Sequence, residues 1–350
     1  MTTAYLILEN GMVFTGKSFG AKGSVTGEIV FTTGMTGYLE TLTDPSYYGQ
    51  IILQTFPLIG NYGVIPADFE SASVFAKAYI VKYPCAEPSN FRSLSNLDAF
   101  LSERGIIGLC DIDTRKLAKV IRDSGVMNGK ITTSEPTEKD CGEAKNYIIH
   151  DAVASVSDPE PSHTPKADCR YRVALMDFGA KRGITEALSA RGCDVKLFPY
   201  NTLTQHIIDY KPHGIMLSNG PGDPADPANR IIIKTISDLM NAGIPIFGIC
   251  LGHQLMALAN GYKTKKLKFG HRGSNQPVKD LKSGRVYITS QNHGYAVVAD
   301  DSSFINVNDL TCEGLDYGVS FSVQFHPEAC GGPLDTAFLF DRFINRMRKD

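Results

Sequence analysis

The sequence lacks the long apolar runs, the strong net charge and the paired cysteines that would place it in several common classes of protein. No stretch approaches the roughly 20 apolar residues of a membrane span. The start, MTTAYLILENG, has neither the basic region nor the long apolar core of a secretory signal peptide. The net charge of −2 provides no general attraction to nucleic acid or to anionic membranes. These absences predict a cytoplasmic protein that binds neither membrane nor nucleic acid.

Paired cysteine motifs are missing as well. None of the eight cysteines lies in a C-x-x-C pair, which argues against a zinc ribbon and against a thioredoxin-like redox site. In a long chain without a predicted secretory signal, we expect these cysteines to be reduced thiols. Most are expected to fill the core, and one or two to be chemically active.

The length of the chain and its changing patterns predict two domains. A chain of 350 residues is longer than a single hydrophobic core usually accommodates. Strands and turns dominate the first part, and we predict a mixed β/α domain rich in strands at 1–154. The polar segment SVSDPEPSHTPKADC falls in a predicted linker at 155–170. In 171–350 short apolar strands alternate with amphipathic helices, which predicts an α/β fold with a mostly parallel sheet and helices on both faces.

The stretch GMVFTGKS, residues 11–18, matches the G-x-x-x-x-G-K-[ST] pattern of a phosphate-binding loop. Such a loop needs a helix directly after it, because the helix N-terminus helps to hold the phosphates. The residues that follow, FGAKGSVTGEIVF, contain three glycines and end in a β-branched strand, so no helix begins there. We interpret the stretch as the edge of a β-hairpin with a solvated Lys17, and not as a nucleotide site.

The strongest chemical signal is Cys250 in PIFGICLGHQL, between a predicted strand and a predicted helix. Gly248 and Gly252 stand two residues to either side, which makes this the thiol form of the G-x-S-x-G nucleophile elbow. The N-terminus of the following helix stabilises a thiolate. The backbone N–H of Leu251 is predicted to face the oxyanion that forms when the thiol attacks a carbonyl. On this motif alone, a core thiol is the alternative for Cys250.

A nucleophilic cysteine needs a base and a group that orients the base. The segment FSVQFHPEA supplies His326 at the end of a predicted strand and Glu328 two residues later. In an extended segment these two side chains can project to the same side, so Glu328 can hold the ring of His326. Another predicted strand ends in LSNGPGDP, where the amides of Gly220 and Gly222 could complete an oxyanion hole; an ordinary Gly-Pro turn is the alternative.

On the motifs SNGPGDP, FGICLGHQL and VQFHPEA, residues 171–350 resemble the class I (triad) glutamine amidotransferases. Further segments are similar to the small-subunit family of carbamoyl-phosphate synthetases: KFGHRGSNQPV, ITSQNHGYAV, GEIVFTTGMTGYLETLTDPSYYGQI, NFRS and DIDTRKL. The resemblance covers nearly the whole chain. It implies a glutaminase in which Cys250 attacks the side-chain amide of L-glutamine, with His326 and Glu328 as triad partners. The amides of Leu251 and Gly220 would stabilise the oxyanion.

The resemblance also implies which residues hold glutamine, and these are Ser46, Gly220, Gly222, Leu251, Gln254, Asn292, Gly294 and Tyr295. Ser46 belongs to the predicted N-terminal domain, and a serine in an ordinary turn is the alternative there. Tyr295 stands where phenylalanine is common in the family. The substitution affects glutamine binding only if the ring of residue 295, and not its backbone, contacts glutamine.

A partner is implied too. The N-terminal domain would contact a large synthetase subunit, in a heterodimer or a higher oligomer of heterodimers, and ammonia would pass to that subunit through a tunnel. ATP, bicarbonate, Mg²⁺ and K⁺ would bind to the large subunit, so no cofactor is expected on this chain. The product would be carbamoyl phosphate for arginine and pyrimidine biosynthesis.

Three other functions remain as alternatives: an amidotransferase subunit of another pathway, a self-contained cysteine hydrolase, and a scaffold with an inactive triad. The N-terminal 150 residues count against the first, and the intact triad counts against the last. Among the other histidines, His253 is expected to pack within its helix. His271 and His293 flank glycines, but no carboxylate or thiol spacing accompanies them, so we expect no metal site.

Overall fold

The computed structural model describes residues 2–166 and 168–348, and the chain divides into two units, 1–150 and 151–350. The segment that we predicted as a linker lies within the second unit. Val156 is buried, and Ser162–His163 pairs with another strand of that unit. The prolines and polar residues of this segment therefore belong to the surface and edge of a folded unit, which composition alone does not distinguish from a linker.

The first unit is rich in strands, as predicted. Its strands are β1 (Thr3–Leu8), β2 (Val13–Gly20), β3 (Val25–Thr32), β4 (Gln50–Gln54), β5 (Leu58–Ile59), β6 (Ala78–Ile80), β7 (Tyr83–Pro84), β8 (Ile107–Cys110) and β9 (Met127–Thr132). Its helices are α1 (Tyr38–Leu42), α2 (Leu97–Glu103), α3 (Thr114–Ser124) and α4 (Glu138–Lys145). A closed barrel has the strand order β1–β2–β8–β6–β4–β3–β9, and β9 pairs with β1 to complete it. β5 and β7 pair separately.

The stretch GMVFTGKS lies in this barrel. β1 and β2 form an antiparallel hairpin, and the G-K-S residues lie inside β2. The side chain of Lys17 is exposed and its Nζ lies 3.0 Å from a carboxylate oxygen of Asp111. A Cβ on Gly16 would collide with the carbonyl oxygen of Cys110, so this glycine serves the close approach of β2 to β8. The hairpin interpretation is confirmed.

The second unit alternates strands and helices before it continues as hairpins. Its strands are β10 (Ser162–His163), β11 (Tyr171–Asp177), β12 (Cys193–Pro199), β13 (Gly214–Leu217), β14 (Ile246–Ile249), β15 (Lys263–Asp280), β16 (Val286–Val298), β17 (Phe304–Asn306), β18 (Cys312–Tyr317) and β19 (Ser320–Val323). Its helices are α5 (Arg182–Ser189), α6 (Thr204–Asp209), α7 (Arg230–Asn241), α8 (Leu251–Ala259) and α9 (Phe338–Met347).

One mixed sheet joins these strands in the order β10–β12–β11–β13–β14–β19–β18–β17–β15–β16. The strands from β12 to β19 in this order run parallel. The α/β prediction is confirmed, and the parallel part is the part whose strands alternate with helices in the sequence. From β19 to β16 the neighbours are antiparallel, because the chain after α8 turns back in hairpins without intervening helices.

Helices cover both faces of the parallel part. Val173 and Leu175 of β11 pack in the cluster that contains residues of α5 and α9. Ala174 and Met176 pack in the cluster that contains residues of α6, α7 and α8. Since successive side chains of a strand point to opposite faces, both faces of β11 are buried, which accounts for its continuous apolar sequence. Within the described ranges, every helix is too short or too polar to traverse a lipid bilayer.

The carboxyl ends of three neighbouring parallel strands lead into the predicted site. β13 leads into 218–224, β14 leads into Cys250, and β19 leads into the segment that holds His326. In open α/β sheets, ligands bind outside the carboxyl ends of the strands. The topology therefore brings three segments that are distant in sequence to the same edge of the sheet.

We predict that Phe247→Ala destabilises the second unit by about 3–5 kcal/mol, the usual cost of truncating a core phenylalanine. Phe247 is completely buried and its ring centroid lies 4.3 Å from that of Phe321 in β19. The measurement is the midpoint of denaturant unfolding followed by a probe in the second unit. Phe338→Ala on α9, where the ring is 40% exposed, is the matched control and should have a much smaller effect. Equal shifts for the two variants would contradict the prediction.

Candidate active site

Cys250 lies at a sharp turn between β14 and α8, with a backbone φ of 54° and ψ of −104°. A positive φ is rare outside glycine and costs about 1–3 kcal/mol. The flanking glycines make the turn possible. A Cβ on Gly248 would lie 2.8 Å from the carbonyl oxygen of Gly252, and a Cβ on Gly252 would lie 2.5 Å from that of Leu217. No larger residue fits at either position without moving the backbone.

His326 and Glu328 lie together after β19. Nδ1 of His326 is 2.6 Å from Oε1 of Glu328, and both residues are buried. The backbone N–H of His326 donates to the carbonyl oxygen of Ser290 on β16 at 2.9 Å, which anchors the segment to the sheet. The chain turns at Pro327 and Glu328, so a turn, and not the extended segment that the spacing suggested, brings the two side chains together.

The charges in this site favour a protonated imidazole. Burial and the positive charge of Lys181 oppose protonation of His326. The negative charges of Glu328 and Cys250 outweigh them and raise the pKa of His326 to about 10. Burial raises the pKa of Glu328, but His326 and Lys181 outweigh it and lower that pKa to about 2. At neutral pH the ring therefore carries a proton that it can deliver next to the Cys250 sulfur.

Lys181 is a component of this site that the sequence analysis missed. Its Nζ lies 3.2 Å from Nδ1 of His326 and 3.3 Å from Oε1 of Glu328, and the residue is 9% exposed. Lys181 precedes α5 in the loop after β11, a central strand of the sheet. Its position at the carboxyl end of a parallel strand was the available signal. A lysine beside an arginine in a loop is usually solvated, and this general expectation concealed it.

The segment 218–222 is fixed against the loop that carries Lys181. The Oδ1 of Asn219 accepts a hydrogen bond from the backbone N–H of Lys181 at 3.1 Å, and its Nδ2 donates to the carbonyl oxygen of Gly179 at 2.9 Å. A Cβ on Gly220 would collide with the carbonyl oxygen of Phe178 and lie 2.7 Å from a methyl carbon of Leu251. Gly220 and Leu251, the two predicted oxyanion-hole residues, are therefore neighbours.

β16 passes beside the cysteine. The Sγ of Cys250 lies 3.6 Å from the carbonyl oxygen of Asn292. The Nε2 of Gln254 on α8 donates to the carbonyl oxygen of Tyr295 at 2.8 Å and to Oε1 of Gln324 at 2.9 Å. Of the predicted residues, Asn292 contacts the sulfur of Cys250 and Gln254 contacts Tyr295, and Gly294 lies between Asn292 and Tyr295 on the same strand.

The remaining predicted glutamine-binding residues lie in turns. Gly222 has a φ of 92°, and a Cβ there would lie 2.7 Å from that of Ala152. Ser46 belongs to the first unit, where it is buried in a short 3-10 turn. Its backbone N–H donates to Oδ1 of Asp44 at 2.9 Å, which caps the turn. The turn geometry at Ser46 agrees with the local TDPSYY signal.

The three other histidines named in the sequence analysis, His253, His271 and His293, lie in largely buried polar surroundings. His253 of α8 is completely buried, its Nδ1 lies 2.8 Å from Oγ of Ser322, and burial lowers its pKa to about 3. That position agrees with the expected packing role. His271 and His293 are opposite each other on β15 and β16. The fold adds a carboxylate to them, Glu313 of β18, which the spacing along the sequence did not reveal.

Two family models match the chain. Residues 6–131 match the carbamoyl-phosphate synthase small chain, CPSase domain, and residues 174–346 match the class-I glutamine amidotransferase model. Curated relatives are similar over almost the full length. The chain is 46% identical to the carbamoyl phosphate synthase small chain of Syntrophotalea carbinolica, over 99% of this chain and 98% of that one. It is 47% identical to the small chain of Fusobacterium nucleatum, over 99% of each.

Solved structures resemble part of the chain more distantly. A glutamine amidotransferase from Thermotoga maritima has a TM-score of 0.40 at 16% identity, covering 52% of this chain and 81% of that one. PurLQS from the same organism has a TM-score of 0.40 at 19% identity, covering 51% of this chain and 99% of that one.

We predict that Glu328→Gln lowers the pKa of His326, because burial and the Lys181 charge then act against one fewer negative neighbour. The measurement is an NMR titration of histidine side chains in the folded protein. Glu186→Gln, which removes an exposed carboxylate 3.0 Å from Arg182 on α5, is the matched control and should leave the titration unchanged. An unchanged or higher His326 pKa in Glu328→Gln would contradict the role that we give to this carboxylate.

Proposed function

Because the chain belongs to the carbamoyl-phosphate synthase small-chain family, we propose that it hydrolyses glutamine through a covalent thioester on Cys250. The observation that carries this proposal is the strained turn that holds Cys250 next to a buried His326–Glu328 pair. The strained backbone of Cys250 directs its side chain away from the directions that a residue of a regular strand or helix would take. The pair supplies an imidazole that a neighbouring carboxylate orients, and the proton held on this ring is available for the leaving nitrogen.

The reaction proceeds in two halves. In the first, His326 holds the thiol proton, the Cys250 thiolate attacks the side-chain carbonyl carbon of glutamine, and the carbonyl oxygen takes up the negative charge. The backbone N–H groups of Leu251 and Gly220 stabilise this oxyanion. His326 gives a proton to the amide nitrogen, the C–N bond breaks and ammonia leaves. In the second half, His326 removes a proton from water, the hydroxide attacks the thioester, and the C–S bond breaks to release glutamate.

We assign glutamine binding to residues on four segments, and these are Ser46, Gly220, Gly222, Leu251, Gln254, Asn292, Gly294 and Tyr295. The contact between the Cys250 sulfur and the carbonyl of Asn292 supports the assignment of the β16 segment. Gln254 bonds to the backbone of Tyr295, and not to its ring. Tyrosine in place of the common phenylalanine therefore leaves this contact unchanged. Ser46 enters the set through the resemblance alone.

We propose further that the ammonia passes through a tunnel to a large synthetase subunit, with the first unit of this chain as a contact to it. Ammonia that escapes into water becomes protonated and loses its nucleophilic lone pair. ATP, Mg²⁺, K⁺ and bicarbonate bind to the large subunit in this proposal, and carbamoyl phosphate for arginine and pyrimidine biosynthesis is the product. The reaction takes place in the cytoplasm, and this chain carries no cofactor of its own.

A self-contained cysteine hydrolase is the alternative that shares the same triad. It would turn over its substrate at full rate without a partner. The proposed subunit instead couples the release of ammonia to synthesis on another chain, so glutamine and ammonium salts should be interchangeable nitrogen sources for the complex. Glutamine-dependent synthesis and ammonium-dependent synthesis can therefore be measured separately.

We predict that Cys250→Ser abolishes glutamine-dependent carbamoyl phosphate synthesis and preserves ammonium-dependent synthesis, because only the first needs the thioester. The measurement is product formation by the chain reconstituted with a large subunit, MgATP and bicarbonate, supplied with glutamine or with an ammonium salt. Cys85→Ser, a cysteine of the first unit, is the matched control and should preserve both activities. Glutamine-dependent synthesis by Cys250→Ser would overturn the proposed mechanism.

A further inference from the structure

A buried polar cluster joins β15, β16 and β18. Its centre is Glu313 of β18, which is completely buried. Oε2 of Glu313 accepts a hydrogen bond from Nε2 of Gln291 at 3.0 Å, and Oε1 accepts one from Nδ2 of Asn306 at 3.4 Å. Oε1 also lies 3.5 Å from Nδ1 of His271. A buried carboxylate is costly unless it is paired, so this set of partners requires an explanation.

His271 supplies the compensating charge. Its Nδ1 faces Glu313, and its Nε2 lies 3.0 Å from Oδ2 of Asp309. Burial lowers the pKa of His271, but hydrogen bonds to Glu313 and Asp309 and their negative charges outweigh burial, so the pKa is raised. A carboxylate oxygen lies within 3.5 Å of each ring nitrogen, an arrangement that favours the protonated ring, and Nδ2 of Asn306 lies 3.5 Å from the same Nδ1. His271 and Glu313 therefore form an ion pair, in which burial raises the pKa of Glu313 more than His271 and Asn306 lower it.

The cluster reaches the segment beside Cys250 through two side chains of β16. Gln291 donates to Glu313, and its Oε1 lies 3.1 Å from Nε2 of His293. Nδ1 of His293 lies 2.8 Å from the carbonyl oxygen of Tyr295, the same oxygen that accepts from Gln254. Gln291 and His293 alternate along the strand with Asn292 and Gly294. The chain of contacts thus runs from the ion pair to the proposed glutamine-binding residues.

Regular sheet pairing of this part of β16 is short, and it is interrupted on both sides. The β15–β16 register is interrupted between Lys266 and His271, and again between Gly273 and Gln276. Between these two irregularities, His271 to Gly273 pair with His293 to Gln291. Bulges re-aim side chains and end regular pairing, so side-chain contacts add to the three residue pairs in fixing the intervening segment. His271 lies in this interval, and Glu313 reaches it from β18.

We propose that His271 and Glu313 are positioning residues that hold segment 291–295 of β16 in the conformation that binds glutamine. This inference rests on the proposed function, in which Asn292, Gly294 and Tyr295 bind the substrate. Neither His271 nor Glu313 touches the reacting atoms in this proposal. They act through Gln291 and His293, so they control the affinity for glutamine more than the chemical step.

A metal site is the rival explanation of the same residues. His271, His293 and Glu313 each offer one ligand atom, and these atoms lie within 4.8 Å of one another. A metal would need an unprotonated nitrogen on His271. The carboxylates at both of its nitrogens favour protons there instead, and the oxygens of Glu313 already accept hydrogen bonds from Gln291 and Asn306. The ion pair is therefore the interpretation that the geometry supports.

The test is the steady-state kinetics of Glu313→Gln and His271→Gln in the full chain reconstituted with a large subunit. We expect the KM for glutamine to rise about tenfold or more while kcat stays within about threefold, the pattern of lost substrate binding. Ammonium-dependent synthesis should be unchanged. Asp316→Asn is the matched control, because Asp316 lies on the same strand and pairs with Arg342 and Arg346 of α9. It should lower the melting temperature without changing the KM.

The outcomes separate this inference from the proposed function. A KM for glutamine within about twofold of wild type in either folded variant would overturn the positioning role while the glutaminase itself remained active. One metal ion per chain in the wild type, lost in Glu313→Gln, would overturn it in favour of a metal site. If Glu313→Gln does not fold, His271→Gln decides alone. Failure of the proposed function appears elsewhere, as glutamine-dependent activity in Cys250→Ser.

Discussion

The close approach of backbones around Cys250 is the constraint on which the candidate site depends. Gly252 lies against the carbonyl of Leu217 at the end of β13, and its N–H donates to the carbonyl oxygen of Ser218 at 3.0 Å. The N–H of Cys250 donates to the carbonyl oxygen of Val323 at the end of β19, at 2.9 Å. The first turn of α8 is thus fastened to two strands at once. A bulkier residue at Gly248 or at Gly252 would move Cys250 away from the segment that holds His326 and also from Gly220.

Two buried carboxylates in the second unit are paired with imidazoles, with different results. At Glu328 a lysine and the cysteine also take part, and the charges lie beside the sulfur where a proton must move. At Glu313 the neighbours are two side-chain amides and the ring of His271, and Gln291 and His293 connect the pair to the backbone of Tyr295. Similar chemistry can therefore serve a reaction at one place and hold a strand at another.

Local sequence patterns predicted Cys250, His326 and Glu328. The residues that these patterns missed are placed by the pairing of strands that are distant in the sequence. The strand–Cys–helix turn and the His-x-Glu spacing are each contained in a few residues, so the sequence is sufficient for both. Lys181 and Glu313 are recognisable only when it is known which strands are neighbours. Closure of the barrel likewise depends on pairing β1 with β9, which lie more than a hundred residues apart in sequence. Composition misled at 155–170, because an exposed edge segment and a linker are both polar and rich in proline.

The closed barrel of the first unit also limits how this chain can recognise other proteins. Because β9 pairs with β1, the barrel strands have no free edge, and another chain cannot extend this sheet by adding a strand to it. Recognition through the barrel must use side chains and loop tips. Such a surface can change its specificity one residue at a time, while the main-chain hydrogen bonds that maintain the barrel stay the same. The architecture thus separates the evolution of a binding surface from the stability of the fold that presents it.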